Sequence, residues 1–500
     1  MMDITAKASS VITAQASSAI TAKASIDGSL LNNSFLMTFE ELMHTCGEIL
    51  IYGEQKGFQS VCIDSRSINN GALFVALQGQ AQDGHLFIES AIKAGAAGIM
   101  AARSKLDKFD IVMLVKKYKK TLLVVEDTLK GLQDAARIYL EKFPGLLKIA
   151  ITGSAGKTTT KEITASIIKQ EKNIVMNSGN LNSETGLPLS VFNVRSGHEV
   201  GIFEAGMNRR GEIAELADVL KPNIALITNI GSAHIGILGS KWAIAEEKKS
   251  IFSQFTGSEK ALIPMDDNFK EFLSKDVNGK VIYYSQHNFS ELECVRDKGL
   301  EGAQIKWAGK LINFPLPGDA NIKNAFAAIA IAGEIPVSAQ SIKEGLESVK
   351  PLFGRSQIIK GRITLIQDCY NSSPESLESV LEFFNDLEWQ GRKVCVIGSM
   401  LELGNTSKEA HKNMGLSLGA MNLNTSHDDK IFLFGKECKA AAEVLAEQKN
   451  NYFWTDKMDE LKKALTSYTK PGDLVLLKGS RGCALEQLTP LLTEGVACAS

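Results

Sequence analysis

The sequence lacks most of the features that would assign it to a special class of protein. Its 500 residues carry a formal net charge of −2, so the chain as a whole has no electrostatic attraction toward nucleic acid or an acidic membrane. The eight cysteines form no C-x-x-C pair, and the seven histidines form no H-x-x-x-H pair. A disulfide framework or a His/Cys metal site is therefore not indicated, and we interpret the cysteines as reduced, mostly buried thiols.

Long apolar runs are also absent. None approaches the roughly 20 residues that a membrane helix needs, so we expect no membrane insertion. The first 36 residues contain neither arginine nor a sustained apolar block, which argues against a signal peptide. They contain a near-repeat with a period of eight residues, starting at positions 4, 12 and 20. We predict a disordered extension over residues 1–36 or a true start at Met37, with an organelle transit peptide as the alternative.

Strand and helix patterns divide the rest of the chain into three blocks. Residues 37–120 follow the order strand, strand, helix, whereas residues 121–334 and 335–500 alternate short apolar strands with helical stretches. Such alternation predicts parallel sheets covered by helices on both faces. We therefore predict a three-domain α/β protein in which two parallel-sheet domains form a cleft.

The clearest chemical signal is a glycine loop between an apolar strand and a helix. Its glycines allow the backbone to approach phosphate closely, and the following helix directs amide groups at the anion. Lys157 is placed for the β- and γ-phosphates and Thr158 for Mg²⁺, although two residues separate the glycines where the general P-loop has four. The alternative is a turn with an incidental Gly-Lys-Thr. The predicted phosphate-binding residues are Gly153, Ser154, Ala155, Gly156, Lys157, Thr158 and Thr159.

Several further polar residues follow predicted strands, where parallel sheets bind ligands. Glu204 ends an apolar strand and is placed to hold Mg²⁺, although an ordinary strand-end acid is the simpler interpretation. His234 follows the next strand and is either a ligand or a structural histidine. Lys248 lies in a charged helical stretch, where composition alone predicts a solvent-facing side chain. Tyr370 and Asn371 follow a third-block strand and either contact a ligand or precede the cap of a helix.

Taken together, these stretches resemble the Mur ligase family, and within it the ligases that add D-alanyl-D-alanine. The resemblance extends from Met37 to about residue 486. The short glycine loop is diagnostic of the broad family. The stretch from Asp368 to Asn371 and the Glu-Leu-Gly that begins at Glu402 favour this branch over its siblings.

The resemblance implies a domain organisation and an activity. A uridine-nucleotide-binding domain is expected over residues 37–120, a central ATP-binding domain over 121–334, and a C-terminal Rossmann-like domain over 335–500. The expected reaction is the ATP-dependent ligation of D-alanyl-D-alanine to UDP-N-acetylmuramoyl-tripeptide through an acyl phosphate. The enzyme is expected to be cytoplasmic and monomeric, to use two Mg²⁺ ions, and to have no nucleic-acid partner.

Residue roles follow from the same resemblance. Lys157, His234 and Lys248 are expected to be catalytic. Mg²⁺ is expected to contact Thr158, Glu204, His234 and Lys248, the last as a carbamate, which is an anion. Nucleotide contacts are expected from Asn321, Asn324, Arg355 and Asp368, and substrate contacts from Ser65, Arg66, Asn180, Asn182, Tyr370 and Asn371.

Four positions depart from the pattern of the family. Gly236, Ser250 and Ser399 stand where the family carries an acid, and Ala320 stands where it carries a histidine. Three other functions remain open at this point. They are a sibling or folylpolyglutamate-type ligase, a P-loop ATPase or kinase that acts as a switch or carrier, and a non-catalytic nucleotide-binding module.

Overall fold

A computed structural model of the chain describes residues 35–43, 47–79, 82–421 and 428–493. The predicted extension, apart from its last two residues, lies outside the described residues, as do Cys46 and Cys498. Four of the six described cysteines are buried and all six are free, which confirms the prediction of reduced, mostly buried thiols for this part of the chain. None of the described helices is both long enough and apolar enough to cross a membrane.

The N-terminal region forms a five-stranded sheet and a two-stranded ribbon. Its strands are β1 (Met37–Thr38), β2 (Glu48–Ile51), β3 (Gly57–Phe58), β4 (Ser60–Cys62), β5 (Ala72–Val75), β6 (Gly98–Ala102) and β7 (Thr121–Val125). Its helices are α1 (Phe39–Met43), α2 (Ile88–Lys93) and α3 (Ile111–Lys117). Helix α4 (Thr128–Glu141) follows the last strand of this region and packs mainly on the central region, against the helices Gly186–Val191 and Glu212–Leu220. The sheet has the order β2-β7-β6-β5-β4, with β2 antiparallel at one edge, and β1 pairs with β3.

The strand β7 was expected to open the second block, but it completes the first sheet. It is buried along its whole length and pairs with β6 on one side and β2 on the other. The N-terminal sheet therefore extends past the predicted boundary at residue 120. An apolar strand can satisfy its backbone in either of two neighbouring sheets, and its local sequence does not distinguish them.

The central region is built on a six-stranded parallel sheet. Its strands are β8 (Leu147–Thr152), β9 (Ile174–Met176), β10 (Val200–Glu204), β11 (Ile224–Ile227), β12 (Lys260–Pro264) and β13 (Lys280–Tyr284), in the order β13-β12-β11-β8-β10-β9. Its helices are α5 (Lys157–Ile168), α6 (Gly186–Val191), α7 (Glu212–Leu220), α8 (Ile235–Leu238), α9 (Lys241–Lys249), α10 (Lys270–Ser274), α11 (Asp319–Gly333) and α12 (Ala339–Ser348). The predicted parallel sheet is confirmed.

A small antiparallel sheet, absent from our prediction, adds to the central region. Its strands are β14 (Leu292–Asp297), β15 (Ala303–Trp307) and β16 (Lys310–Phe314). Ile305 and Phe314 share a buried cluster with Phe326 of α11 and with Ile342 of α12. Helix α12, predicted to belong to the third block, therefore packs on the central region, beyond the predicted boundary at residue 335.

The C-terminal region contains a second six-stranded sheet. Its strands are β17 (Gln357–Lys360), β18 (Thr364–Asp368), β19 (Lys393–Gly398), β20 (Lys430–Phe434), β21 (Tyr452–Thr455) and β22 (Leu474–Lys478), in the order β17-β18-β22-β19-β20-β21. Its helices are α13 (Pro374–Asp386), α14 (Ser407–Gly419), α15 (Lys439–Glu447), α16 (Met458–Tyr468) and α17 (Thr489–Thr493). All pairings are parallel except that of the edge strand β17, which confirms the predicted second α/β unit.

Strand order brings the candidate residues together at one edge of each sheet. In the central sheet β8 lies between β10 and β11, so the glycine loop, Glu204 and the segment after Ile227 follow neighbouring strands. In the C-terminal sheet β22 lies between β18 and β19. Polar residues at the carboxyl ends of adjacent parallel strands share one crevice, which is where open α/β sheets bind ligands.

Candidate active site

The short glycine loop connects β8 to α5 and requires glycine at both of its glycine positions. The φ angles are +149° at Gly153 and +81° at Gly156, in a region that strains other residues. A Cβ atom at Gly153 would lie 1.8 Å from the Thr228 hydroxyl oxygen, and one at Gly156 would lie 2.2 Å from the Asn324 amide oxygen. The Lys157 ammonium donates to the Gly153 carbonyl at 2.9 Å, so the lysine is held over the loop.

Two residues that follow β11 support this loop, and the sequence analysis missed both. The Thr228 hydroxyl donates to the Ala155 carbonyl at 2.6 Å. The Asn229 side chain accepts from the Ala155 amide at 3.0 Å and donates to the Ala155 carbonyl at 3.1 Å. The available signal was their position directly after a strand that neighbours β8.

Glu204 ends β10 beside the loop and has one unsatisfied oxygen. The residue is 1% exposed, and its position opposite Ile151 places it next to β8. Its Oε1 accepts from the Asn182 amide at 2.5 Å, whereas its Oε2 is buried without a hydrogen-bond partner. A buried carboxylate oxygen without a partner is unfavourable, so Glu204 fits a cation that binds at Oε2. Asn182, expected at the substrate, thus contacts Glu204, and Asn180 is exposed on the preceding turn.

The donor set agrees with a hard cation that shares its ligands with a phosphate group. Among the described residues, no three His, Cys, Asp or Glu side chains converge into a metal cluster. Thr158 and Glu204 offer only oxygen donors, which Mg²⁺ prefers. Because Mg²⁺ usually binds through one or two protein oxygens plus phosphate and water, such a sparse set suffices next to a phosphate-binding loop.

Burial perturbs two lysines near the loop. Burial lowers the pKa of Lys157. The negative charge of Glu204 partly offsets this shift, and the positive charge of Arg355 reinforces it. Lys248 is 1% exposed, and burial together with the charge of Lys157 lowers its pKa well below the usual value. The solvent-facing position that composition predicted for Lys248 is therefore wrong. Lys248 lies four residues after the fully buried Ile244, so the two share the inward face of α9.

Two of the expected nucleotide contacts, Asn321 and Asn324, lie on α11, close to the base of the glycine loop. Asn324 accepts from the Thr160 hydroxyl at 3.3 Å and faces Gly156. Asn321 donates to the Pro317 carbonyl at 2.7 Å. Both side chains are buried, so one of them contacts the loop and the other holds the start of its own helix.

The C-terminal region reaches the glycine loop through Arg355. Its guanidinium donates to the Thr158 hydroxyl at 2.9 Å and lies 4.2 Å from the ring centroid of Tyr370. Asp368 accepts from the Ser356 amide at 3.0 Å and forms a 2.9 Å ion pair with Lys478, which is buried. The Asp368 carboxylate thus fixes the segment that carries Arg355.

Two more acids of the C-terminal region contact the segment after β11. Glu375 accepts from the Ser232 amide at 3.0 Å and from its hydroxyl at 2.7 Å, and it pairs with Lys241 at 2.8 Å. Burial acts to raise the pKa of Glu375, but hydrogen bonds from Lys241 and Ser232 outweigh it and lower the pKa. His234 and Glu402 approach to 2.9 Å, and this contact lowers the pKa of Glu402. The sequence analysis assigned no role to either acid.

The helix-cap interpretation of the stretch around Tyr370 is confirmed. Ser373 caps α13 through a reciprocal capping box with Ser376, and proline occupies the first turn. Tyr370 nevertheless stacks on Arg355, so the same stretch also supports the site. The Asn371 carbonyl accepts from Lys478 at 2.8 Å.

The remaining candidates lie on the N-terminal sheet. Asp64 caps the short turn that holds Ser65 and Arg66, directly after β4. Arg66 forms an ion pair with Asp64 at 2.6 Å, and its side chain is 75% exposed. The Arg66 guanidinium is therefore oriented by Asp64 and accessible to an anionic ligand.

Comparison with known proteins shows extensive similarity. Residues 58–139, 151–332 and 354–481 match the families described as Mur ligase family, catalytic domain; Mur ligase middle domain; and Mur ligase, glutamate ligase domain. The UDP-N-acetylmuramoyl-tripeptide–D-alanyl-D-alanine ligase of Treponema pallidum (strain Nichols) is 42% identical over 88% of this chain and 95% of that protein. The ligase of the same name from Bacillus subtilis (strain 168) is 32% identical over 88% of this chain and 94% of that protein.

Solved structures show the same similarity in three dimensions. A crystal structure of MurF from Acinetobacter baumannii superposes with a TM-score of 0.80 at 28% identity, covering 92% of this chain and 99% of that chain. The MurF ligase from Thermotoga maritima in complex with ADP superposes with a TM-score of 0.72 at 27% identity, covering 87% of this chain and 96% of that one.

Proposed function

The chain belongs to the Mur ligase family, and from that premise we propose that it uses ATP to join D-alanyl-D-alanine to UDP-N-acetylmuramoyl-tripeptide. The names of its relatives support this choice of substrates, and the ADP complex of a similar ligase supports the use of ATP. Within the chain itself, the observation that carries the proposal is the unsatisfied Oε2 of Glu204 beside the glycine loop and Lys157.

The first step activates a carboxylate that amines do not attack. An oxygen of the terminal carboxylate of the tripeptide attacks the γ-phosphorus of ATP, the bond to the β-phosphate oxygen breaks, and ADP leaves. Lys157 and the amides of residues 153–159 stabilise the charge on the phosphate oxygens. Arg355 already contacts the loop at Thr158 and adds a second cation from the opposite sheet.

The second step forms the peptide bond. The amine of D-alanyl-D-alanine attacks the acyl carbon, the acyl–oxygen bond breaks, phosphate leaves, and the amine releases a proton. Water competes with the amine for the acyl phosphate and must be excluded. The C-terminal region covers the reacting centre through the contacts of Arg355, Glu375 and Glu402 with the central region, and it thereby excludes water.

The proposal includes two Mg²⁺ ions, one held by Thr158 and Glu204 and the other by His234 and Lys248. Bound there, Mg²⁺ supplies positive charge that neutralises the transferring phosphate. Lys248 suits this role as a carbamate, which forms when its neutral amine adds to CO₂ and releases a proton. The lowered pKa of Lys248 supports the neutral amine that this addition requires.

Further parts of the proposal concern organisation and substrate contacts. We assign the uridine nucleotide to the N-terminal region, extended to include β7, with Ser65 and Arg66 as contacts. We assign adenine to the vicinity of Asn321 and Asn324, and the peptide substrates to the cleft next to Asn180 and Asn371. A monomeric, cytoplasmic enzyme is proposed from the family resemblance.

A ligation assay tests the proposal. The wild-type protein is incubated with ATP and Mg²⁺ and with neither, one or both of UDP-N-acetylmuramoyl-tripeptide and D-alanyl-D-alanine. We expect phosphate release and pentapeptide formation only with both substrates. Lys157→Ala should reduce turnover at least about 100-fold, because one charge-stabilising group in a phosphoryl-transfer site contributes about that much. Lys169→Ala, at the exposed end of the same helix, is the control.

The outcome separates the competing functions. Phosphate release that needs no acceptor favours an ATPase or kinase, and product formation with a different amino acid favours a sibling ligase. Near-normal turnover of Lys157→Ala contradicts the assignment of the glycine loop.

A further inference from the structure

A pair of glycines allows two loops of opposite sheets to touch through their backbones. The Gly236 amide, at the start of α8, donates to the Glu402 carbonyl at 2.9 Å. A Cβ atom at Gly236 would lie 2.5 Å from the Gly404 nitrogen and 2.6 Å from the Glu402 oxygen, and one at Gly404 would lie 2.8 Å from the Gly236 Cα. Real Cβ atoms do not approach backbone this closely, so the junction requires glycine on both sides.

This junction directs two side chains toward each other. His234 and Glu402 have φ angles of +65° and +67°, an uncommon conformation for residues other than glycine, which persists where the surroundings impose it. Their Nδ1 and Oε2 atoms are 2.9 Å apart. The separation is within hydrogen-bond reach, although the Nδ1 makes no formed hydrogen bond in this arrangement.

The side chains of His234 and Glu402 differ in accessibility. The His234 side chain is 16% exposed, and that of Glu402 is 51% exposed. The histidine is thus enclosed on the central sheet, and the carboxylate arrives from the C-terminal loop. Histidines that ligate a metal through one ring nitrogen usually donate the other N–H to a carboxylate, which fixes the tautomer and the orientation of the ring.

We infer that Glu402 is a positioning residue for His234: its carboxylate accepts a hydrogen bond from the Nδ1–H group, which leaves Nε2 as the ligating nitrogen. It does so only while the C-terminal region is seated on the central region, that is, while the loop of Glu402 contacts the loop of Gly236. The inference rests on the proposed function, in which His234 binds Mg²⁺. Seating of the C-terminal region and metal binding are then coupled, since each strengthens the other by the same factor.

The structure also accounts for the absence of an acid at position 236. Any side chain there would separate the loops by the clash described above. The carboxylate next to His234 in this structure is that of Glu402, which comes from the opposite sheet. Gly236→Ala therefore perturbs the pair without altering either member, and its φ lies outside the left-handed region, so alanine is strained only by the junction.

Metal binding tests the inference without relying on turnover. Mn²⁺ is titrated into the full-length protein with a non-hydrolysable ATP analogue, and the bound ions are counted by electron paramagnetic resonance. We expect Glu402→Ala and Gly236→Ala each to reduce the binding affinity for one of the two Mn²⁺ ions by about 10-fold. This is the lower end of the range for loss of a group that supports a metal ligand. Glu409→Ala, an exposed acid nearby, and Gly145→Ala, where a Cβ meets nothing within 4 Å, should leave both ions unchanged.

A double variant distinguishes positioning from direct binding. If Glu402 acts through His234, then His234→Ala and His234→Ala/Glu402→Ala have the same Mn²⁺ affinity. A further loss in the double variant overturns the positioning role, as does wild-type affinity in Glu402→Ala. Circular dichroism melting shows whether Gly236→Ala is folded. Because the Glu402 side chain is 51% exposed, we expect Glu402→Ala to fold, so the test does not depend on Gly236→Ala. Failure of wild-type ligation contradicts the proposed function instead, so the two failures are distinct.

Discussion

Glu375 is the strongest single link that we find between the C-terminal region and the segment after β11, and its removal has a predictable cost. Its carboxylate accepts two hydrogen bonds from Ser232 and pairs with Lys241. Glu375→Ala leaves the amide of Ser232, which is 8% exposed, without that acceptor. We predict that this change weakens seating of the C-terminal region, whereas each region keeps its own fold.

The size of the effect follows from the kinds of contact that are lost. Hydrogen bonds to a charged acceptor contribute about 1.5–3 kcal/mol, and an exposed ion pair contributes about 0–1 kcal/mol. Because the Glu375 side chain is 37% exposed, we reduce each of the two hydrogen bonds to about 1 kcal/mol and count nothing for the ion pair, about 2 kcal/mol in total. This corresponds to a roughly 30-fold change in the ratio of seated to unseated molecules.

Calorimetric titration with a non-hydrolysable ATP analogue measures the effect. If the nucleotide binds the seated form, its apparent Kd rises by up to that roughly 30-fold factor in Glu375→Ala. Lys241→Met, which removes only the ion pair, should change Kd by no more than about 5-fold. Glu378→Ala, an exposed acid on the same helix, is the matched control. Equal Kd values for Glu375→Ala and Glu378→Ala would refute the reasoning.

Acidification should mimic the loss of Glu375. Its pKa is lowered in the seated form, so the stabilisation is complete above the ordinary pKa of a free glutamate. It is lost as the pH falls from that value through the lowered one. Glu375→Ala should therefore converge with the wild type in this acidic range, which the same titration measures.

Three further predictions test other parts of the chain. Asp83→Asn should lower the free energy of unfolding of the N-terminal region by about 2 kcal/mol at neutral pH. Lys105 and His85 outweigh burial and hold the pKa of Asp83 at about 2, so in chemical denaturation the difference should shrink as the pH falls from about 4 toward 2. Asn229→Ala removes two hydrogen bonds to Ala155 and should raise the KM for ATP about 10-fold with little change in kcat, as steady-state kinetics will show. Lys248→Arg keeps a cation but forms no carbamate, so ligation should fall about 10- to 100-fold and the carbamate carbon signal seen with ¹³C-bicarbonate should disappear.

Local sequence was sufficient where the chemistry lies within one strand and the residues that follow it. The glycine loop follows β8 and Glu204 ends β10, and both were identified because apolar strands and the residues after them are visible in the sequence. The burial of Lys248 was not visible, since a helix with several charges has no obvious inward side. The spacing of Ile244 and Lys248 carried the only signal, and the family resemblance, not the composition, gave it meaning.

Assignment of elements to sheets was less predictable than the elements themselves. The strand Thr121–Val125 and the helix Ala339–Ser348 were each placed in the wrong block, because the partner that buries an apolar face is set by topology. The small antiparallel sheet over residues 292–314 was missed, although β15 alternates apolar and polar residues as a half-buried strand does. Two elements with the same local pattern can therefore differ in the domain to which they contribute.

The acids that join the two sheets had no local signal at all. Glu375 lies in the first turn of a helix, where an acid is expected for the helix dipole, and Glu402 is half-exposed in a loop. Each gains its importance only from what the opposite sheet presents to it, Ser232 and Lys241 in one case and His234 in the other. A ligase that must exclude water and yet release its product needs contacts of this reversible kind. Exposed carboxylates that accept hydrogen bonds from donors of the facing sheet provide such contacts. These hydrogen bonds form when the two regions meet, and they are replaced by hydrogen bonds to water when the regions separate.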